Sequence, residues 1–219
     1  MTENNKTAIL LGASGLVGGF LLDMLLDCGT YNHVLIFVRK PLGKEHPILT
    51  EYVIDFDNLQ SYKDLVKGDD LFCCLGTTIK KAGSQAAFRK VDYEYPITFA
   101  EIAKENGIKQ YLIITAIGAN AQSSVFYTRT KGECENSIKA LLPSVKIFRP
   151  SLLTGNRKEF RLGEKLSTYV MKAFSFFMTG KWKKYRPVEC RQVAKAMLCS
   201  ANQESAGVSI FESDQIQAF

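Results

Sequence analysis

A chain of 219 residues with 46% hydrophobic and 23% charged side chains can bury one substantial core, and its balance is that of an ordinary folded domain, not of a disordered or fibrous segment. The formal net charge of +6 is moderate; it suits an anionic cofactor or substrate, or solubility alone, and does not imply nucleic acid. The start Met1-Thr2-Glu3-Asn4-Asn5-Lys6 is polar and no apolar run reaches membrane-spanning length, so the expectation is a single domain over 1–219, cytoplasmic, with no signal peptide and no integral membrane segment.

The first element is the apolar run Ala8 to Leu11, which passes through Gly12-Ala13-Ser14-Gly15-Leu16-Val17-Gly18 into leucines at helical spacing up to Leu26. Strand, glycine turn and helix follow without a gap. Gly12 can take the tight turn, Gly15 lets the backbone approach a pyrophosphate, and Gly18 lets helix and strand pack closely. The helix N-terminus then faces the anion, so Gly12, Ser14, Gly15, Leu16, Val17 and Gly18 are candidate dinucleotide contacts. A second strand, His33 to Val38, ends at Arg39-Lys40-Pro41. An acidic residue near this end binds the ribose 2′-hydroxyl of NAD, whereas a basic one accommodates the 2′-phosphate of NADP. Arg39 and Lys40 therefore point to NADP(H) in preference to NAD(H), the plain alternative being a solvated charge pair.

A connection from Leu42 to Thr50 leads to a short strand, Glu51 to Ile54, and to an amphipathic helix expected over Asn58 to Val66. Asp70 to Leu75 is a fourth strand ending at Gly76-Thr77-Thr78. Ligands of open α/β sheets lie outside the carboxyl ends of the strands, so Leu75, Gly76, Thr77 and Thr78 are further candidate contacts. After the basic, polar stretch Lys80 to Lys90, a helix enters through Val91-Asp92-Tyr93-Glu94-Tyr95-Pro96, runs to Glu105 and stops at Asn106-Gly107. Lys109 to Thr115 and Val145 to Arg149 are the fifth and sixth strands, with Val208 to Phe211 a possible addition. This alternation predicts an α/β fold, a Rossmann doubly wound parallel sheet in the order 3-2-1-4-5-6 with helices on both faces. The six cysteines lack Cys-x-x-Cys spacing and read as reduced thiols; with two histidines, no metal site is expected.

Between the fifth and sixth strands stand Tyr127 and Lys131, four residues apart and so on one face of a helix. An ammonium beside a phenol favours the phenolate and makes the pair useful for proton transfer. These residues, with Gly12-x-x-Gly15-x-x-Gly18, Cys74-Leu75-Gly76-Thr77-Thr78 and the segment Arg149-Pro150-Ser151 through Gly155-Asn156-Arg157, resemble the extended and atypical short-chain dehydrogenases/reductases, and among them the Tat-interacting-oxidoreductase-like group.

The resemblance implies Tyr127 as general acid, Lys131 on the nicotinamide ribose, and Thr115 as the hydroxyl that orients the substrate oxygen, with Ser123 and Ser124 as alternatives for that third group. It also places Asp55 and Phe56 beside the adenine, Pro150 and Ser151 beside the nicotinamide, and Arg157 toward the substrate. The chain departs from the pattern at Val91-Asp92-Tyr93, where many members carry an asparagine. Beyond Arg157, the apolar stretch Leu166 to Met178 and the basic, aromatic stretch Lys181 to Arg186 suit a lid, a homodimer or protein-partner surface, an anionic membrane surface, or a packed helix with a solvated basic face. Two functions follow: an NADP(H)-dependent reductase of a small carbonyl compound, or of the reverse alcohol, and a non-catalytic NADP(H)-binding regulator that docks a partner through 166–186.

Overall fold

The computed structural model describes residues 6–155, 184–203 and 206–219. Its centre is a 7-stranded sheet in the order β3-β2-β1-β4-β5-β6-β9. The strands are β1 (Lys6–Leu11), β2 (Tyr31–Val38), β3 (Leu49–Val53), β4 (Asp70–Cys73), β5 (Gln110–Ile114), β6 (Ser144–Arg149) and β9 (Gly207–Glu212). Every neighbouring pair is parallel, β6 to β9 included, so the strand expected at Val208 to Phe211 does extend the sheet. A two-stranded parallel pair, β7 (Leu153–Thr154) and β8 (Val188–Glu189), stands apart from it.

Strand periodicity divides the core into two layers. Ala8 and Leu10 of β1 face one side, where helices α1 (Leu16–Asp27) and α6 (Cys190–Ala201) bury Leu21, Leu25, Val193 and Met197 against Phe72, Leu112 and Phe148. Ile9 and Leu11 face the other, where α4 (Tyr95–Glu105) and α5 (Phe126–Leu141) bury Phe99, Ile102 and Ile138 against Phe37, Tyr111 and Ile147. Both faces of a parallel sheet must be covered in this way, which is why its strands read as continuous apolar runs.

Two local expectations are corrected. The segment read as an amphipathic α-helix over Asn58 to Val66 is a 3₁₀ run, Phe56–Leu65, broken at Asn58 (φ −131°, ψ 46°). Its geometry is set by groups outside it: Asp55 caps the Asp57 N–H, and the Asn106 side chain donates to the Lys63 and Val66 carbonyls at 2.8 and 2.7 Å. The helix expected to enter at Val91 starts earlier. After α2 (Ile79–Ala82), α3 (Gln85–Arg89) passes into a π turn, Lys90–Glu94, closed by the Tyr95 N–H on the Lys90 carbonyl, and then into α4. The N-caps Thr78 and Ser84 supply the starts that the basic composition of this stretch concealed.

At the amino ends of the strands a polar cluster closes the core. Lys146 is 2% exposed and gives its ammonium protons to the Ser200 and Gln203 carbonyls at the end of α6. Those carbonyls lose their buried donor if the side chain is truncated. Lys146→Ala is therefore expected to lower stability by about 2–3 kcal/mol, seen as a lower urea midpoint at unchanged slope. Among the described residues no helix is long and apolar enough to cross a membrane.

Candidate functional site

The register of β1 against β4 brings two turns together: Leu11 pairs with Cys73, and the Cys74 N–H donates to the Leu11 carbonyl at 2.9 Å. Gly12 leaves β1 at φ +80°, and a Cβ there would lie 2.6 Å from the Cys74 carbonyl oxygen. Gly18 is tighter still, its Cβ position falling 2.1 Å from the Gly12 oxygen. Gly15 and Ser14 are exposed, whereas Val17 and Gly18 are buried and Leu16 is half-buried. Helix α1 begins with Gly15 as N-cap, has no side-chain cap and carries no acidic residue in its first turn. Its leading N–H groups thus keep no carboxylate or hydroxyl of their own, and a phosphate suits them. The cradle fits a dinucleotide pyrophosphate.

Arg39 and Lys40 are exposed at the carboxyl end of β2, the adjoining strand. A groove of about 350 Å³ runs along α1 beside the turn, lined by Gly15, Leu16, Phe20 and Leu42 and edged by the Lys44–Asp23 ion pair at 2.5 Å. Neither Tyr127 nor Lys131 lines it. Asp55 faces solvent at the end of β3, but the Phe56 ring is turned into the core, 5.4 Å from Tyr95 and 6.1 Å from Phe99. Leu75 is half-buried, Gly76 is exposed, the Thr77 N–H is bonded to Asp92, and Thr78 is spent on capping α2.

Helix α5 carries Tyr127 and Lys131. Its start is held by Ser123, whose hydroxyl accepts the Val125 N–H at 3.1 Å and bonds to the Thr128 hydroxyl at 2.7 Å; Ser124 is exposed. Its depth is set by Gly132, where a Cβ would stand 2.2 Å from the Ala121 nitrogen. The Tyr127 ring packs on the fully buried Phe88 at 5.4 Å, and its hydroxyl has no hydrogen bond to a described residue. Lys131 is 4% exposed, with its ammonium 2.7 Å from Asp92 Oδ1. Burial works to depress the lysine, but the Asp92 carboxylate, with Tyr127 adding to it, outweighs burial and holds the pKa above the ordinary value.

Thr115 sits at the end of β5, buried, and its hydroxyl donates to Glu135 Oε1 at 2.6 Å. Glu135 in turn receives two bonds from Arg149, which also pairs with Glu212 at 2.9 Å. Pro150 is buried and its carbonyl accepts the Ile117 N–H at 2.9 Å; the Ser151 hydroxyl donates to the Arg186 carbonyl and accepts from Ser213 at 3.0 Å. Arg157 and the greater part of 166–186 lie outside the described residues.

Two participants escaped the sequence reading. Asp92 stood out only as a missing asparagine, and nothing local announced its pairing with Lys131. Glu135 lies four residues after Lys131 on α5, a spacing that puts it on the same face and was the available signal.

Comparison with known proteins gives the family and the fold. A family model described as NAD(P)H-binding matches residues 12–161. Protein HTATIP2 of Rattus norvegicus is 35% identical over 199 residues, 89% of this chain and 80% of that protein. A Debaryomyces hansenii protein named "Protein FMP52, mitochondrial" is 31% identical over 159 residues, 70% of this chain and 69% of its own. Among solved structures, the Bordetella bronchiseptica enzyme WbmH in complex with NAD+ superposes with a TM-score of 0.72 over 95% of this chain and 76% of that one, at 14% identity. MoeE5 in complex with UDP-glucuronic acid and NAD gives 0.71 over 94% and 75%, at 16% identity. At such identities the structural likeness is one of fold.

Proposed function

Because this chain belongs to the NAD(P)H-binding family, in the atypical short-chain dehydrogenase/reductase group that includes HTATIP2, we propose that it is an NADP(H)-dependent reductase of a small carbonyl compound. The observation that carries the reading is the placement of Lys131 beneath exposed Gly76, with Tyr127 one helical turn away on α5. A Cβ on Gly76 would lie 3.8 Å from the ammonium, so a ligand resting on that turn meets the lysine at short range.

When bound, the cofactor supplies the hydride. The chain does the rest. The uncapped start of α1 and Gly15 hold the pyrophosphate, Arg39 and Lys40 take the 2′-phosphate, and Lys131 holds the nicotinamide ribose. Tyr127 gives its phenolic proton to the substrate oxygen as that oxygen gains charge. The hydroxyl proton of Thr115 is committed to Glu135, so this hydroxyl offers the site a lone pair, and exposed Ser124 stays a candidate donor. That commitment is the observation that supports a second reading, a non-catalytic NADP(H)-binding regulator.

The test is calorimetric titration with NADPH and NADH. Arg39→Ala should weaken NADPH binding by about tenfold or more and leave NADH within about twofold, because the lost contact is a charge-assisted one to a phosphate that NADH lacks. Equal losses for both nucleotides refute the 2′-phosphate assignment. Loss of nicotinamide absorbance with a panel of aldehydes and ketones then separates reductase from regulator.

A further inference from the structure

Tyr127 and Lys131 have parts in the proposed chemistry, whereas Asp92 has none. Asp92 sits in the π turn at 1% exposure. One carboxylate oxygen is 2.7 Å from the Lys131 ammonium; the other accepts the Thr77 N–H at 2.9 Å. A single side chain thus ties the turn after β4 to helix α5. A Cβ on Gly76 would stand 3.5 Å from Asp92 Oδ1, so the ion pair lies directly under exposed backbone.

We infer that Asp92 is a positioning residue of the cofactor site, holding the Lys131 ammonium and the Gly76-Thr77 turn in one arrangement that meets the nicotinamide ribose. The inference rests on the NADP(H) reading.

The groups that face Lys131 are Asp92 from the π turn, Tyr127 and Cys134 from α5, and Cys73 from β4. Burial pushes the Cys73 thiol up to about 11 and raises Cys134 as well, so both stay neutral at ordinary pH. Asp92 is the carboxylate that pairs with this lysine among the described residues. The sign follows. With Asp92 present the ammonium keeps its proton through mildly alkaline pH. With an uncharged residue there, burial loses its main opponent and only the lesser influence of Tyr127 and Cys134 remains, so the lysine pKa falls below its ordinary value and the cation is lost as pH rises through it.

The experiment measures NADPH affinity of the full chain by fluorescence titration between about pH 7 and 9.5, a window below the ordinary lysine value. Wild type should stay constant within about twofold, Asp92→Asn should lose about tenfold or more from the low to the high end, and Asp92→Glu should restore the flat profile. An Asp92→Asn profile parallel to wild type overturns the inference. Should that variant fail to fold, wild type is compared with Lys131→Arg, whose guanidinium does not titrate. Matching flat profiles support a clamped cation, whereas a fall with pH in wild type that is absent from Lys131→Arg overturns it. Failure of wild type to bind NADPH at pH 7 overturns the cofactor reading beneath it, and is thereby told apart from intact binding with an unaltered pH profile.

Discussion

Tyr127→Phe should lower kcat for carbonyl reduction by at least about a hundredfold and leave NADPH affinity within about twofold. Loss of a positioned general acid costs on the order of 10²–10⁴ in rate, and the structure makes this substitution a clean one. The ring is fixed by Phe88 at 5.4 Å, a contact that phenylalanine keeps. The hydroxyl it removes holds no described residue in place, and Lys131 retains its pair with Asp92. Circular dichroism and the urea midpoint should therefore stay unchanged while turnover disappears. Retention of full activity removes Tyr127 from the chemistry and shifts attention to Ser124 or to the regulator reading. A parallel loss of NADPH affinity shows instead that the phenol serves binding.

How far the sequence disclosed this arrangement depends on the range of the interactions involved. The glycine turn, the strands and their order were legible because apolar runs and Gly12, Gly15 and Gly18 act through local geometry: a tight turn, a helix start, a strand buried on both faces. The 3₁₀ run at Phe56–Leu65 was misread because its hydrogen bonds to Asn106 come from a helix end far along the chain. The same holds for the site. Tyr127 and Lys131 share one helix, so spacing alone put them side by side. Asp92 reaches Lys131 from a buried place in the π turn, and Glu135 accepts the Thr115 hydroxyl hydrogen bond where β5, β6 and α5 converge. Residue type announced neither event. The assignment of Phe56 to an adenine wall suffers for a related reason: the backbone stands at the strand end as supposed, but the aromatic ring has better company in the core with Tyr95 and Phe99.

The glycines of the nucleotide turn offer a graded test, since the space around each differs. Gly18→Ala should abolish nucleotide binding and lower stability by about 3 kcal/mol or more, because the added methyl would lie 2.1 Å from the Gly12 carbonyl oxygen, a backbone atom that no rotamer change can move aside. Helix α1 must then withdraw from β1, and its leading N–H groups leave the anion site. Gly19→Ala, one residue on, meets nothing nearer than 3.6 Å and lies inside the helix, so it should stabilise by about 0.5–1 kcal/mol and bind normally. Gly15→Ala falls between. Its Cβ would be 3.1 Å from the Gly12 oxygen, a displacement of a few tenths of an ångström, yet the position is exposed at the open start of α1, where the proposed pyrophosphate would lie. That variant should keep its urea midpoint within about 1 kcal/mol and still lose at least about tenfold in NADPH affinity. Denaturation and nucleotide titration on the three proteins separate the two uses of glycine here. If Gly15→Ala binds like wild type, the phosphate does not pass over this turn, and the open start of α1 needs another ligand.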